Sequence, residues 1–155
     1  MSGALTVRRL GRDDLESARE LNALFAKEFG DPESYAHAPP GDAYLAETLD
    51  GDGVIVLVAE EQGELAGALV GYVLPKLEQE RSEIYIYDLA VVEHRRRQGI
   101  ATRLIEEVQR IASEIGAWVI YVQADYVDEP AVALYTKLGT REDVMHFDIP
   151  PRATR

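Results

Sequence analysis

The chain has 155 residues, 46% of them hydrophobic, which suits one compact core and points to a single domain over 1–150 followed by a polar tail, 151–155. With 28 Asp plus Glu against 16 Lys plus Arg, the formal charge of −12 argues against a nucleic-acid partner and favours cationic ones. The lack of cysteine excludes a disulfide framework, a thiolate metal site and a cysteine nucleophile, and the start MSGALTVRRLGRDDLE has no long apolar core, so neither a leader nor a membrane span is expected and a soluble cytoplasmic protein is the default.

Leu5 to Arg9 is a candidate first strand. Asp13 and Glu16 in capping-box spacing then open a helix whose Leu15, Ala18, Leu21, Phe25 and Phe29 form one stripe, and Gly30 stops it. DPESYAHAPPGD, with Pro32, Pro39, Pro40 and Gly41, reads as an irregular loop able to border a binding site, before a short helix near Asp42. GVIVLVAEEQGELAGALVGYVLP gives two apolar runs around a Gln62-Gly63 turn, the pattern of an antiparallel hairpin. A polar connection, KLEQERS, leads into the strand EIYIYDLAVV. From Gly99 to Ile115, Ile100, Leu104, Val108, Ile111 and Ile115 share one helical face, and Gly116 ends it. AWVIYVQA is a further strand, EPAVALYTKLG a short helix and VMHFDIP a last strand. This order implies a mixed α+β fold: a mostly antiparallel sheet, flanked by helices, with a central parallel pair joined by a right-handed crossover between Glu83 and Ala124.

The stretch DLAVVEHRRRQGIATRLI places His94, Arg95, Arg96, Arg97 and Gly99 between a strand and a helix. The first turn of a helix has unpaired N–H groups whose partial positive charge suits a phosphate, and a glycine there lets backbone approach a bulky diphosphate. There is no Gly-x-Gly-x-x-Gly, nor a Gly-Lys-Ser/Thr, so neither familiar nucleotide loop fits. Spacing alone leaves open a solvated run of surface cations. His37, His94 and His146 have no metal-like spacing, so no metal is expected.

RRQGIA, Arg96 to Ala101, resembles the Arg/Gln-x-x-Gly-x-Gly/Ala motif of the GNAT superfamily of acetyl-coenzyme A-dependent N-acetyltransferases, and the element order is similar. More narrowly, KLEQERSEIYIYDLAVVEHRRRQGIA, YVQADY, DEPAVALYTKLGTREDVMHFDI and KEFGD resemble the type I aminoglycoside 3-N-acetyltransferases, the gentamicin-acetylating group. Two positions depart from the broader superfamily pattern but fit this subgroup: Asp128 stands where an asparagine is common, and Thr140 replaces an aromatic residue.

The resemblance implies that Arg96, Arg97, Gln98, Gly99, Ile100 and Ala101 hold the coenzyme A pyrophosphate, and that Leu89, Ala90 and Val91 bond the pantetheine arm through their backbone. Acetyl transfer also needs a proton acceptor. An alkyl ammonium has a reference pKa of about 10.4, so its deprotonation at pH 7 costs about 4–5 kcal/mol, and only the neutral amine attacks a thioester. By resemblance Asp88 is the general base and Tyr135 the general acid; the respective structural alternatives are a strand-end residue that caps exposed N–H groups or marks a bulge, and a packed aromatic. A polycationic, hydroxyl-rich acceptor calls for acidic groups, for which Asp125, Asp128, Glu129, Glu28 and Asp31 are the candidates, together with Glu78, Glu80 and Glu83 around the connection into IYIYD. Tyr85, Tyr87, Tyr121 and Tyr126 are candidates to line the cleft or to pack across strands.

The resulting expectation is an aminoglycoside 3-N-acetyltransferase that confers antibiotic resistance, acts by direct transfer in a ternary complex and forms a homodimer. The competing classes are a GNAT enzyme acting on another cationic amine, such as a polyamine or peptide, and a non-catalytic acyl-coenzyme A sensor.

Overall fold

The computed structural model describes residues 3–154, which divide into two compact units on either side of the Gln123–Ala124 junction. In the first, β1 (Thr6–Arg9) leads to α1 (Leu15–Phe29), a one-turn α2 (Pro32–Tyr35) and α3 (Asp42–Asp50). Then come β2 (Val54–Glu61), β3 (Glu64–Pro75), β4 (Ser82–Val91), a 3-10 turn at Glu93–Arg95, α4 (Ile100–Ile115) and β5 (Ala117–Val122). The five strands form one sheet in sequence order, antiparallel except for β4 and β5.

Local chemistry explains the joints. Gln62 and Gly63 both take positive φ, 53° and 78°, so the β2–β3 turn has the twist that suits a tight hairpin. α1 starts one residue later than the capping-box spacing suggests. Asp14, not Asp13, precedes it, and its carboxylate accepts from the Gly11 N–H (2.7 Å) and from Arg8 (3.0 Å) rather than capping the helix. The expected loop after α1 contains α2, whose Asp31 carboxylate accepts from the Ser34 N–H at 3.1 Å.

Helices cover both faces of the sheet. α1 and α3 bury Leu21, Leu24, Phe25, Leu45 and Leu49 against Val56, Val58, Ala68, Val70 and Ala90. α4 packs on the opposite face through Ile100, Leu104, Ile105, Val108 and Ile111, whereas the expected Ile115 is 46% exposed. Because both faces are covered, β2 and β3 are continuous apolar runs. Gly67 on β3 lies close beneath α4: a Cβ there would lie 3.0 Å from Ile100 Cγ2 and 3.2 Å from the Ala90 carbonyl oxygen.

In the second unit, α5 (Glu129–Leu138) begins at Asp128, whose carboxylate accepts from the Ala131 N–H at 3.3 Å, with Pro130 in its first turn. The expected last strand, VMHFDIP, forms no strand, and its Met145 and Phe147 are exposed. A strand-like composition makes a strand only where a backbone ladder receives it. Among the described residues the parallel β4–β5 pair consequently stands at one edge of the strand order.

Candidate active site

The sheet register turns Asp88 inward. Val70 pairs with Asp88 but Gly71 pairs with Ile86, so Tyr87 is an extra residue, a bulge in β4. Side chains alternate along a strand, and without the bulge Asp88 would share the α4 face with Ile86. The extra residue moves Asp88 to the face of Val70 and Ala90, under α1 and α2. There it is 7% exposed, one of the few buried charged side chains among the described residues.

Aromatic rings surround it. The Tyr35 hydroxyl of α2 donates to Asp88 Oδ1. The Tyr35 ring lies 5.8 Å from Phe25 and 5.5 Å from Phe29, and those two rings stack at 5.4 Å. On the strand side, Tyr87 meets Tyr72 and Tyr85 edge-on at 5.9 and 5.5 Å, and Tyr85 stacks on Tyr121 at 4.6 Å. Burial raises the Asp88 pKa, and the Tyr35 hydrogen bond partly opposes it. Tyr35 and Tyr72 are raised as well, first by burial and then by the nearby Asp88 carboxylate. A carboxylate with raised proton affinity, amid rings that favour cations, is chemically suited to take a proton from an ammonium.

At the bulge the parallel ladder ends. Pairing of β4 with β5 runs from Ser82↔Ala117 to Ile86↔Val122 and stops, while β4 continues on β3 to Val91. Leu89, Ala90 and Val91 therefore lie past the end of the parallel ladder. The chain then enters the arginine turn, where Arg97 (φ 63°) and Gly99 (φ 76°) are left-handed on either side of Gln98. Gly99 is the N-cap of α4 and no side chain caps that helix. Arg103 N–H bonds to the Gly99 carbonyl at 3.0 Å, which leaves the first-turn N–H groups ahead of it, and Gly99 itself is exposed with nothing within 4 Å of the place a Cβ would take. Backbone of alternating hand at a free helix start is a concavity suited to an anion.

A model of the acetyltransferase (GNAT) family matches residues 18–140. The chain belongs to the GNAT acetyltransferase family. Its members use acetyl-coenzyme A. A solved aminoglycoside acetyltransferase, HMB0005, from an uncultured soil metagenomic sample is 49% identical, with a TM-score of 0.93 over 96% of this chain and 99% of that one. Another from the same kind of source, meta-AAC0020, solved in complex with sisomicin, is 31% identical, with a TM-score of 0.88 over 96% of this chain and 97% of that one. An N-alpha-acetyltransferase of Saccharolobus solfataricus is 28% identical over 88% of this chain and 80% of its own length.

For this GNAT chain the remaining predicted residues fall into separate settings. Glu28, at the end of α1, forms an ion pair with Arg96, and Arg95 pairs with Glu61 at 2.8 Å. Asp31 caps α2, and Tyr87 is 60% exposed at the bulge. Gln98 accepts from Arg95 Nε at 3.1 Å, and Ile100 and Ala101 open α4. In the second unit Asp128 caps α5, Glu129 occupies its first turn and Asp125 is exposed. Tyr135 lies on α5, its phenol pushed up to about 12 by burial and by the neighbouring Asp128. Tyr126 donates to Asp143 at 3.1 Å, within the same unit.

Tyr35 and Tyr72 were not legible as site residues. Tyr35 sits in a proline-rich loop, far in sequence from Asp88, and only the Asp31 cap and Pro32 hinted that a helical turn would fix it there. Tyr72 alternates with Val70 on β3, which placed it on a face but not beside a carboxylate.

Proposed function

We propose that this chain is an acetyl-coenzyme A-dependent aminoglycoside 3-N-acetyltransferase of the gentamicin-acetylating type. It works as one domain over 1–150, in the cytoplasm, as a homodimer, by direct attack within a ternary complex, and its product is an inactivated antibiotic. The observation that carries the reading is the buried Asp88 carboxylate, re-aimed by the Tyr87 bulge into a ring-lined site where the β4–β5 ladder ends. The likeness to two aminoglycoside acetyltransferases, one solved with sisomicin, supports the choice of acceptor.

Acetyl-coenzyme A supplies an activated thioester acetyl group when bound. The free first turn of α4 and the left-handed Arg97 and Gly99 suit its diphosphate, with the backbone of Arg96 to Ala101 as the cradle and Arg97 as the free charge. Leu89, Ala90 and Val91 offer strand backbone to the pantetheine amides. Asp88 takes the proton of the acceptor ammonium, directly or through water, a role typically worth about 10²–10⁴-fold. Tyr135, whose phenol at about 12 stays protonated at neutral pH, delivers a proton to the departing thiolate. Asp125, Asp128, Glu129, Glu28, Asp31 and Tyr87 contribute to holding the polycationic acceptor, with Glu28 also holding Arg96.

The likeness to archaeal N-alpha-acetyltransferases supports a second reading, a peptide amino terminus as acceptor. Release of coenzyme A, followed with sisomicin, spermidine and a short peptide as acceptors, separates these readings. The aminoglycoside reading expects the antibiotic to exceed both other acceptors in kcat/KM by at least about tenfold. Turnover on the peptide alone rejects it.

A further inference from the structure

We infer that Tyr35 is a positioning residue for Asp88: its phenol holds Oδ1 of the carboxylate and sets both the orientation and the proton affinity with which Oδ2 meets the acceptor amine. The inference rests on the reading of Asp88 as the base.

The geometry gives Tyr35 fixed support from several sides. α2 is a single turn, but it is closed by its own bonds: Ser34 N–H to the Asp31 carboxylate at 3.1 Å, and Ala36 and His37 N–H to the Pro32 carbonyl, both at 2.8 Å. The ring packs, tilted, against both members of the Phe25–Phe29 stack, and Phe25 is fully buried. Its hydroxyl reaches across to β4 and, among the described residues, is the side-chain donor that meets Asp88. Among the described residues the Tyr35 hydroxyl is the hydrogen-bond partner of the Asp88 carboxylate, so the phenol fixes its rotamer.

Among the described residues, the titratable groups that bear on this pair are Tyr72 on β3, Tyr85 and Tyr87 on β4, Asp31 at the head of α2, and Tyr44 on α3, which bears on Tyr72; α1 contributes only the Phe25 and Phe29 rings, and no cation acts on Tyr35 or Asp88. Tyr35 is the group that favours the ionised form of Asp88 against burial. Removing the hydroxyl while keeping the ring leaves the carboxylate desolvated and free to rotate, and its proton affinity rises further.

The test compares Tyr35→Phe with the unaltered protein in two measurements. Titration of the Asp88 carboxyl by carbon NMR in ¹³C-labelled protein, assigned with Asp88→Asn, should show a midpoint moved to higher pH in Tyr35→Phe. The acidic limb of kcat/KM should move in the same direction, with roughly a tenfold loss at pH 7. Thermal melting shows that the variant is folded, since Phe keeps the ring contacts. An unmoved carboxyl midpoint overturns the inference and assigns Tyr35 to packing alone. If Asp88→Asn retains full activity, the base itself is misassigned, and this failure is distinct because it leaves the NMR result for Tyr35→Phe intact.

Discussion

The guanidinium of Arg96 closes on the carboxylate of Glu28, tying the end of α1 to the turn before α4. Glu28 is the more enclosed partner, its side chain 9% exposed against 54% for Arg96. Among the described residues Arg97 has no ion-pair partner, so it is the arginine of the run whose charge is free for a ligand. Arg97→Ala should therefore weaken coenzyme A binding by roughly three- to tenfold at low salt, and Arg96→Ala by less. Calorimetric titration at two salt concentrations checks the order, and a reversed order reassigns the free cation.

Gly99 makes a second, purely backbone prediction. At φ 76°, and with nothing within 4 Å of the position a Cβ would take, its substitution meets strain and not a clash. Gly99→Val should cost about 1–3 kcal/mol in stability and reduce coenzyme A affinity, while Gly99→Asn, which tolerates the left-handed region, should do markedly less of both. Equal effects of Val and Asn on chemical denaturation would point away from φ as the cause.

Asp88 couples activity to pH with a definite sign. Burial raises its pKa in the folded protein above the ordinary carboxylate value. Its contribution to stability is thus full below the unfolded-state value and is lost as pH rises through the folded-state value. Catalysis runs the other way, because only the ionised form accepts a proton. kcat/KM should rise with pH through the Asp88 midpoint. Asp88→Asn should lower kcat by about 10²–10⁴-fold while melting at or above the temperature of the unaltered protein at pH 7. A less stable, fully active variant would contradict both halves.

Much of this architecture was readable because periodicity and punctuation agree. The Gln62-Gly63 turn, the amphipathic face of α4 and the parallel β4–β5 pair all follow from local patterns that the packing then used. The arginine–glycine turn was legible as a helix start for the same reason, with Gly99 set directly before the apolar stripe of α4. What stayed hidden depends on register. A one-residue bulge at Tyr87 changes the face of Asp88, yet YIYDLAV alternates equally well without it. The partnership of Asp88 with Tyr35 required a loop and a strand to meet, which no local pattern encodes. The segment VMHFDIP shows the reverse error, strand composition without a strand.

Gly67 tests how α4 is seated. A side chain there would press on Ile100 and on the Ala90 carbonyl, and backbone gives way less readily than a flexible side-chain end. Gly67→Val should destabilise the protein by about 1–3 kcal/mol in urea denaturation. It should also weaken coenzyme A binding, because Ile100 is the first residue of the helix that follows the arginine turn. Unchanged stability would mean that α4 leaves room above β3 for a branched side chain.

The most direct test is to find which nitrogen receives the acetyl group. Incubation of the protein with acetyl-coenzyme A and gentamicin, followed by NMR of the purified product, locates the modification. The expected product carries a single acetyl group on the 3-amino nitrogen, formed in proportion to coenzyme A released and abolished in Asp88→Asn. Unmodified gentamicin, or acetyl on a different amine, would contradict the proposed activity.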